Sequence, residues 1–145
     1  MNNFQNSLKN DVTIVKSMPK HGSYVVSSTK QLLTIKAYND WNMETVFSYC
    51  QSFKEQASTL THDNWSSLID LSDWGLGPPE MLNELQKLNL WSEAHKQNYV
   101  AIITKCSLQQ QFLIKSHQVF KETQAKFFDN EAEALSWLSD KIQAN

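Results

Sequence analysis

The sequence predicts an α/β fold: a mixed sheet of about five strands with four helices. Three observations predict it. Short β-rich runs alternate with longer stretches whose apolar residues recur every three or four positions, in the order β-β-α-β-α-β-α-β-α. One run, Tyr99-Val100-Ala101-Ile102-Ile103, is apolar throughout, as suits a strand buried on both faces. Another, ending Leu68-Ile69-Asp70-Leu71, passes through Ser72-Asp73-Trp74-Gly75-Leu76-Gly77-Pro78-Pro79 into a helical pattern. Open α/β sheets place their working residues at such strand–turn–helix junctions.

Residues 1–20 read as a polar N-terminal extension, in which only Val12-Thr13-Ile14-Val15 suits a strand. The folded unit is expected over residues 21–145. Tyr24-Val25-Val26 and Leu32-Leu33-Thr34-Ile35 are strands whose polar separator, Ser27-Ser28-Thr29-Lys30, suits a hairpin. Asp40 or Asn42 then offers an N-cap for a helix. Its apolar stripe is Met43, Val46, Phe47, Cys50, Phe53, Ala57 and Leu60. A strand over residues 65–71 follows, and Pro79 suits the first turn of a second helix. That helix turns Met81, Leu82, Leu85 and Leu88 inward and runs to about Gln97.

After the central strand, Ser107 and Gln110 have the spacing of a capping box. Leu108, Phe112, Val119 and Phe120 form the buried side of the third helix. Residues 125–128 make a short strand, and Asn130 with Glu133 opens a last helix whose inner face carries Leu135, Leu138 and Ile142. Helical crossovers favour parallel pairing with right-handed connections, whereas the first two strands form an antiparallel hairpin. The parallel strands share a C-terminal edge that gathers Asp40, Trp41, Ser72, Asp73, Trp74, Lys105 and Cys106.

With 145 residues, 41% of them hydrophobic, the chain is long enough for one well-packed domain. A formal net charge of −2 gives no support for nucleic-acid binding. The basic-leaning residues 115–126 include Glu122 and apolar interruptions, as a solvated helix face does. No run approaches the roughly 18 apolar residues of a membrane span, and the first residues lack the apolar core of a signal peptide. A cytoplasmic protein with no transmembrane segment is expected.

Catalytic signatures are lacking. Of the four histidines, His95 and His117 fall on separate helices with no ligand-type partner at i, i+4, and His62 reads as surface, so no metal is expected. Cys50 and Cys106 belong to no Cys/His set. Cys106 ends a strand before a helix N-terminus, where a thiolate is favoured, but packing is the preferred reading. Asp70 suits anchoring of the following loop amides, and Asp73 suits a cap or turn acceptor. Gly75-Leu76-Gly77-Pro78-Pro79 lacks the Lys and Ser/Thr of a phosphate-cradling loop, so no cofactor is expected. Trp65, Trp91 and Trp137 suit core or core-edge positions, while Trp41 and Trp74 fall in loops. A loop Trp either lids the core or offers a contact to a partner. The contact reading is preferred for Trp74 and, more weakly, for Trp41.

Three passages carry a family resemblance: Leu68-Ile69-Asp70-Leu71 with its loop, the strand over residues 99–104, and Lys126-Phe127-Phe128 followed by Glu133-Ala134-Leu135-Ser136-Trp137-Leu138. Over residues 22–142 the chain resembles a STAS domain, and more closely the SpoIIAA-like branch related in fold to anti-sigma-factor antagonists. In those antagonists a phosphorylatable Ser precedes Gly-Leu-Gly at the start of the helix after the third strand. Laying Gly75-Leu76-Gly77 on that motif puts Asp73 and Trp74 at the paired serine positions, with Ser72 displaced by one. The resemblance thus implies a fold and a working edge without the phospho-switch.

The expected function is a non-enzymatic regulatory or protein-interaction module, with Trp41, Ser72, Asp73, Trp74 and Gly75 as candidate binding residues and a protein as partner. Because some SpoIIAA-like proteins are thought to bind lipids, the alternative is a binder of a lipid or other apolar ligand between the first two helices and the sheet. Met43, Phe47, Met81 and Leu85 are its inward-facing candidates. A homodimer stays open. An enzyme using Cys106 or Asp73 ranks last.

Overall fold

The computed structural model of the protein describes residues 13–18, as backbone, and 22–144. One six-stranded sheet has its strands in chain order, β1 (Thr13–Met18), β2 (Gly22–Thr29), β3 (Leu32–Asn39), β4 (Trp65–Trp74), β5 (Gln97–Ile103) and β6 (Gln124–Phe128). Four helices are described, α1 (Met43–Ala57), α2 (Met81–Ala94), α3 (Ser107–His117) and α4 (Glu131–Ala144). The α/β class and mixed sheet are as expected, with β1 bringing the strands to six. It lies inside the stretch read as an extension, paired antiparallel to β2 from Thr13↔Ser27 to Met18↔Gly22. The remaining residues of that stretch, 1–12 and 19–20, lie outside the described residues.

The β2–β3 hairpin turns on Lys30 and Gln31, both with positive φ (50° and 66°). Two such residues match the right-handed strand twist in a tight hairpin, so the turn is shorter and later than the polar separator suggested. From β3 onward every pair is parallel. Right-handed crossovers that step repeatedly in one direction put their helices on one face. Accordingly Val46 of α1, Leu85 of α2 and Leu113 of α3 share a core with Ile35, Val100 and Ile102. The alternate residues of β5, Tyr99, Ala101 and Ile103, pack on the other face against Ala134 and Leu138 of α4. That two-sided burial explains the unbroken apolar run in β5.

Three apolar stripes are corrected. On α3, Leu108 is exposed, Val119 and Phe120 lie beyond the last helical residue His117, and Gln109, Leu113 and Ser116 are buried instead. On α1, Phe47 is 54% exposed, whereas Tyr49, Ser52 and Gln56 are buried. Tyr24 explains the rotation of α1: its hydroxyl bonds to Ser48 and Ser52 at 2.5 and 3.1 Å, and Ser28 donates to Gln56. Polar residues with inward partners are invisible to a count of apolar ones. On α4, Leu135 and Ile142 are exposed, because the helix meets the sheet through Ala134 and Leu138. Asn42, not Asp40, caps α1 by accepting from Thr45 N at 3.0 Å. Asn130 accepts from Glu133 N at 2.9 Å. The Ser107/Gln110 box does not form, since the N-cap of α3 is Cys106 and no side chain closes it.

Candidate functional site

The C-terminal edge of the parallel strands is built from two loops bound to each other. β3 ends on Asn39, which adopts φ 59°, a left-handed conformation that Asn tolerates, and the chain turns sharply there. Gly75 N donates to Asn39 O at 3.0 Å, and Trp41 N to Leu76 O at 2.9 Å. Asp40 Oδ1 accepts from Leu76 N at 3.0 Å. A Cβ on Gly75 would lie 1.8 Å from that same carboxylate oxygen, so this close approach requires glycine. From α3, the buried Gln109 donates through Nε2 to Trp74 O and Gly75 O, at 2.7 and 2.9 Å. Its Oε1 accepts from Thr104 Oγ1 at 2.9 Å. Four segments are thereby held as one rim.

β4 runs three residues beyond the predicted Leu71, because β3 continues beside it: Tyr38 pairs with Asp73 and Asn39 with Trp74. Ser72, Asp73 and Trp74 thus belong to a strand end and not to a loop. Asp70 Oδ1 accepts from both Ser72 N (2.9 Å) and Ser72 Oγ (2.5 Å), the amide anchoring expected of it. Asp73 neither caps nor closes a turn. It faces Lys36, whose Nζ lies 3.5 Å from Asp73 and 3.8 Å from Asp70. Desolvation acts against the Lys36 charge, but Tyr38, Asp70 and Asp73 outweigh it and raise the amine above its ordinary value. Sequence reasoning passed over Lys36, although the period-2 pattern of β3 could have found it on the face of Leu32 and Thr34.

The two tryptophans depart most from expectation. Trp41 and Trp74 are 6% and 5% exposed, not laid open in loops. Their rings meet edge-on at 5.9 Å, and Trp41 also packs on Tyr24 and Tyr49. Strict alternation from Ile69 and Leu71 would put Trp74 on the opposite face. However, β4 carries one extra residue between the pairs Lys36↔Asp70 and Tyr38↔Asp73. This bulge returns Trp74 to the helix-covered face, where an indole buries far more apolar area than a rim position allows. Trp74 Nε1 is buried with no acceptor among the described residues, and leaving such a donor unpaired costs about 1–3 kcal/mol. Between the sheet and α1–α3 lies an apolar cavity of about 50 Å³, lined by Trp41, Trp74, Met81, Leu85 and Val100 among others. Of the residues proposed to face an apolar ligand, Met81 and Leu85 line it and Phe47 points away.

Lys105 and Cys106 end the edge, both exposed. Burial, with the Glu84 charge, pushes the Cys50 thiol up to about 12, so it stays protonated and inert. Among the described residues no group of three His, Cys, Asp or Glu is placed to hold a metal, and no helix is long and apolar enough to cross a membrane. Gln109 gave no signal in sequence, since nothing local marks a glutamine whose partners lie some 35 residues away.

No curated protein sequence matches the chain. Among solved structures, an uncharacterized protein of the DUF3478 family with a SpoIIAA-like fold, from Shewanella loihica PV-4, aligns at TM-score 0.60 and 18% identity, covering 88% of this chain and 94% of its own. An anti-sigma factor antagonist from Mycobacterium paratuberculosis aligns at TM-score 0.57 and 15% identity, covering 86% of this chain and 100% of its own. At these identities the likeness is one of fold. The SpoIIAA-like family model itself matches residues 32–139, from the start of β3 into α4, and the chain belongs to the SpoIIAA-like family.

Proposed function

We propose that the protein is a non-enzymatic, cytoplasmic regulatory module that engages a protein partner through the C-terminal edge of its sheet. The observation that carries this reading is the bound rim, in which Asp40, Gly75, Leu76 and Gln109 hold two loops in one geometry. A preorganised surface loses little entropy on association. Around it stand Asp73, with a side chain 58% exposed, and Leu108, 55% exposed, an acid and an aliphatic anchor on neighbouring segments. The solved antagonist of similar fold is named for its action on another protein, which supports a protein partner. Ser72 is a poor phosphate acceptor, because its hydroxyl is committed to Asp70 and a phosphate would meet the charges of Asp70 and Asp73. The test compares partner capture by the wild type and by Asp73→Lys and Leu108→Glu. Loss of the same partner in both variants, at unchanged melting temperature, supports the edge; retention by both moves the contact surface elsewhere.

The second reading, binding of an apolar ligand, is favoured by the cavity beneath Trp41 and Trp74. At about 50 Å³ it falls well short of the roughly 300 Å³ of ordinary ligand pockets, so a long acyl chain would need the helices to part. Native mass spectrometry reports co-purified ligand and a second copy of the chain together. A bare monomer whose melting temperature no small apolar compound raises would remove this reading.

A further inference from the structure

The neighbouring buried indoles show what Trp74 lacks. Trp41 Nε1 donates to the Ser23 carbonyl at 3.2 Å, and Trp65 Nε1 to the His95 carbonyl at 2.7 Å. Trp74 is buried to a similar degree, yet its Nε1 meets no acceptor among the described residues. An indole nitrogen can only donate, and nearly every buried donor in a folded protein is paired. The orphan sits on a residue that lines the cavity beneath α2. The residue that carries the orphan donor thus also lines a chamber whose other walls are mostly apolar, with Asn89, Gln97, Ser116 and His117 among them.

Charge narrows what could enter. Among the described residues, no Asp, Glu, Lys or Arg lines the chamber. Its titratable wall groups are Tyr49 and His117, and burial keeps both neutral at pH 7, driving the phenol upward and the imidazole down to about 4. An ionised ligand would find no counter-charge, and burying an unpaired charge costs more than one hydrogen bond returns. A hydrocarbon would leave the indole N–H bare. The wall most able to yield is Met81, a flexible thioether packed over Gly77, where an added Cβ would lie 2.3 Å from its sulfur.

We propose that this cavity takes a small, uncharged, predominantly apolar ligand carrying one hydrogen-bond acceptor, a ketone, ether or alcohol oxygen, anchored on the Trp74 indole N–H. This inference rests on the ligand-binding reading above and narrows it by excluding an ionised fatty acid. It also gives the burial of Trp74 a role other than packing.

The test uses the full-length ¹⁵N-labelled protein at pH 7 and three probes of similar shape: cyclohexanone, methylcyclohexane and cyclohexanecarboxylate. The Trp74 indole resonance is assigned by its loss in Trp74→Phe, which keeps an aromatic ring and removes the donor. Cyclohexanone should move that resonance saturably and bind about tenfold more tightly than methylcyclohexane, the size of one hydrogen bond. The carboxylate should bind at neither level, and Trp74→Phe should bring the ketone down to the hydrocarbon. Equal binding of ketone and hydrocarbon by the wild type, with the indole resonance still, refutes the anchor while leaving a ligand cavity. Carboxylate binding as tight as the ketone refutes the neutral class. If no probe moves any cavity-lining resonance, the ligand reading falls together with the inference.

Discussion

Gln109 Nε2 donates to the main-chain carbonyl of Trp74 at 2.7 Å, tying the first turn of α3 to the end of β4. The same amide nitrogen reaches Gly75 O, and the amide oxygen accepts from Thr104, so the side chain satisfies three groups on two segments. Replacing it with Leu keeps approximate volume but leaves the two carbonyls and the hydroxyl with less bonding. Gln109→Leu should lose about 1–3 kcal/mol in denaturant unfolding. A change under about 0.5 kcal/mol would mean that the rim does not depend on this amide.

Trp74 gives a sharper contrast. An exposed contact residue could be shortened to Ala with under about 1 kcal/mol lost, whereas a buried large aromatic costs about 3–5 kcal/mol. At 5% exposure, Trp74→Ala should fall in the second range, and Trp41→Ala with it. Chemical denaturation of both variants checks this. Partner capture by Trp74→Ala is uninformative if the fold is that far weakened, which is why Asp73 and Leu108 test the edge instead.

Ser72 should carry no phosphate in protein isolated from its own cells. The hydroxyl already bonds to Asp70, and Lys36 is the one cation facing the two acids in this cluster among the described residues. Intact-mass and peptide mass spectrometry read this directly. Stoichiometric phosphate on Ser72 that alters partner binding would restore the switch.

Two groups give stability an acid limb. Desolvation pushes the Glu93 carboxyl up, but N–H bonds from Thr123, Lys121 and Glu122 and the Thr123 hydroxyl outweigh it and lower it to about 2. Its contribution is present above the ordinary value of 4.5 and is lost as pH falls toward 2. Burial lowers His117 to about 4, so between 6.5 and 4 the unfolded chain takes a proton that the folded chain refuses, and stability falls with pH there too. Unfolding free energy measured from pH 7 to 3 should decline across both windows. Glu93→Gln should flatten the lower window and His117→Phe the upper one. A wild-type profile flat from pH 7 to 4 would remove the His117 contribution.

The folded unit is proposed to begin at residue 21. Deleting residues 1–20 removes β1 and leaves β2 as an edge, yet the cores on both faces of β3–β6 remain. Thermal unfolding should stay cooperative, with a lower midpoint than in a deletion of residues 1–12. Loss of a cooperative transition would put β1 inside the minimal domain.

Periodicity was enough for most of the architecture. β5 announced itself by an unbroken apolar run, and Asn130 and Glu133 marked the start of α4, because burial on both faces and helix capping are local demands on residue type. The stripes of α1, α3 and α4 misled where the inward face is polar or narrow. Ser52 and Gln56 are buried because Tyr24 and Ser28 lie opposite them, a relation spanning 28 residues that no window along the helix contains.

The candidate edge divides in the same way. That Asp40, Ser72, Asp73 and Cys106 gather at one end of the sheet follows from strand direction alone, and the chain's own residues determined it. Whether a side chain at that end faces solvent or core was decided only when β3 and β4 ran three residues further as a pair. The pairing shifts register between Lys36↔Asp70 and Tyr38↔Asp73, and this bulge, by breaking the alternation of β4, turned Trp74 inward and Asp73 outward toward Lys36. The cavity and its unpaired indole N–H come later still. They depend on how closely three helices settle on the sheet, a packing outcome set jointly by side chains scattered from Ile35 to His117.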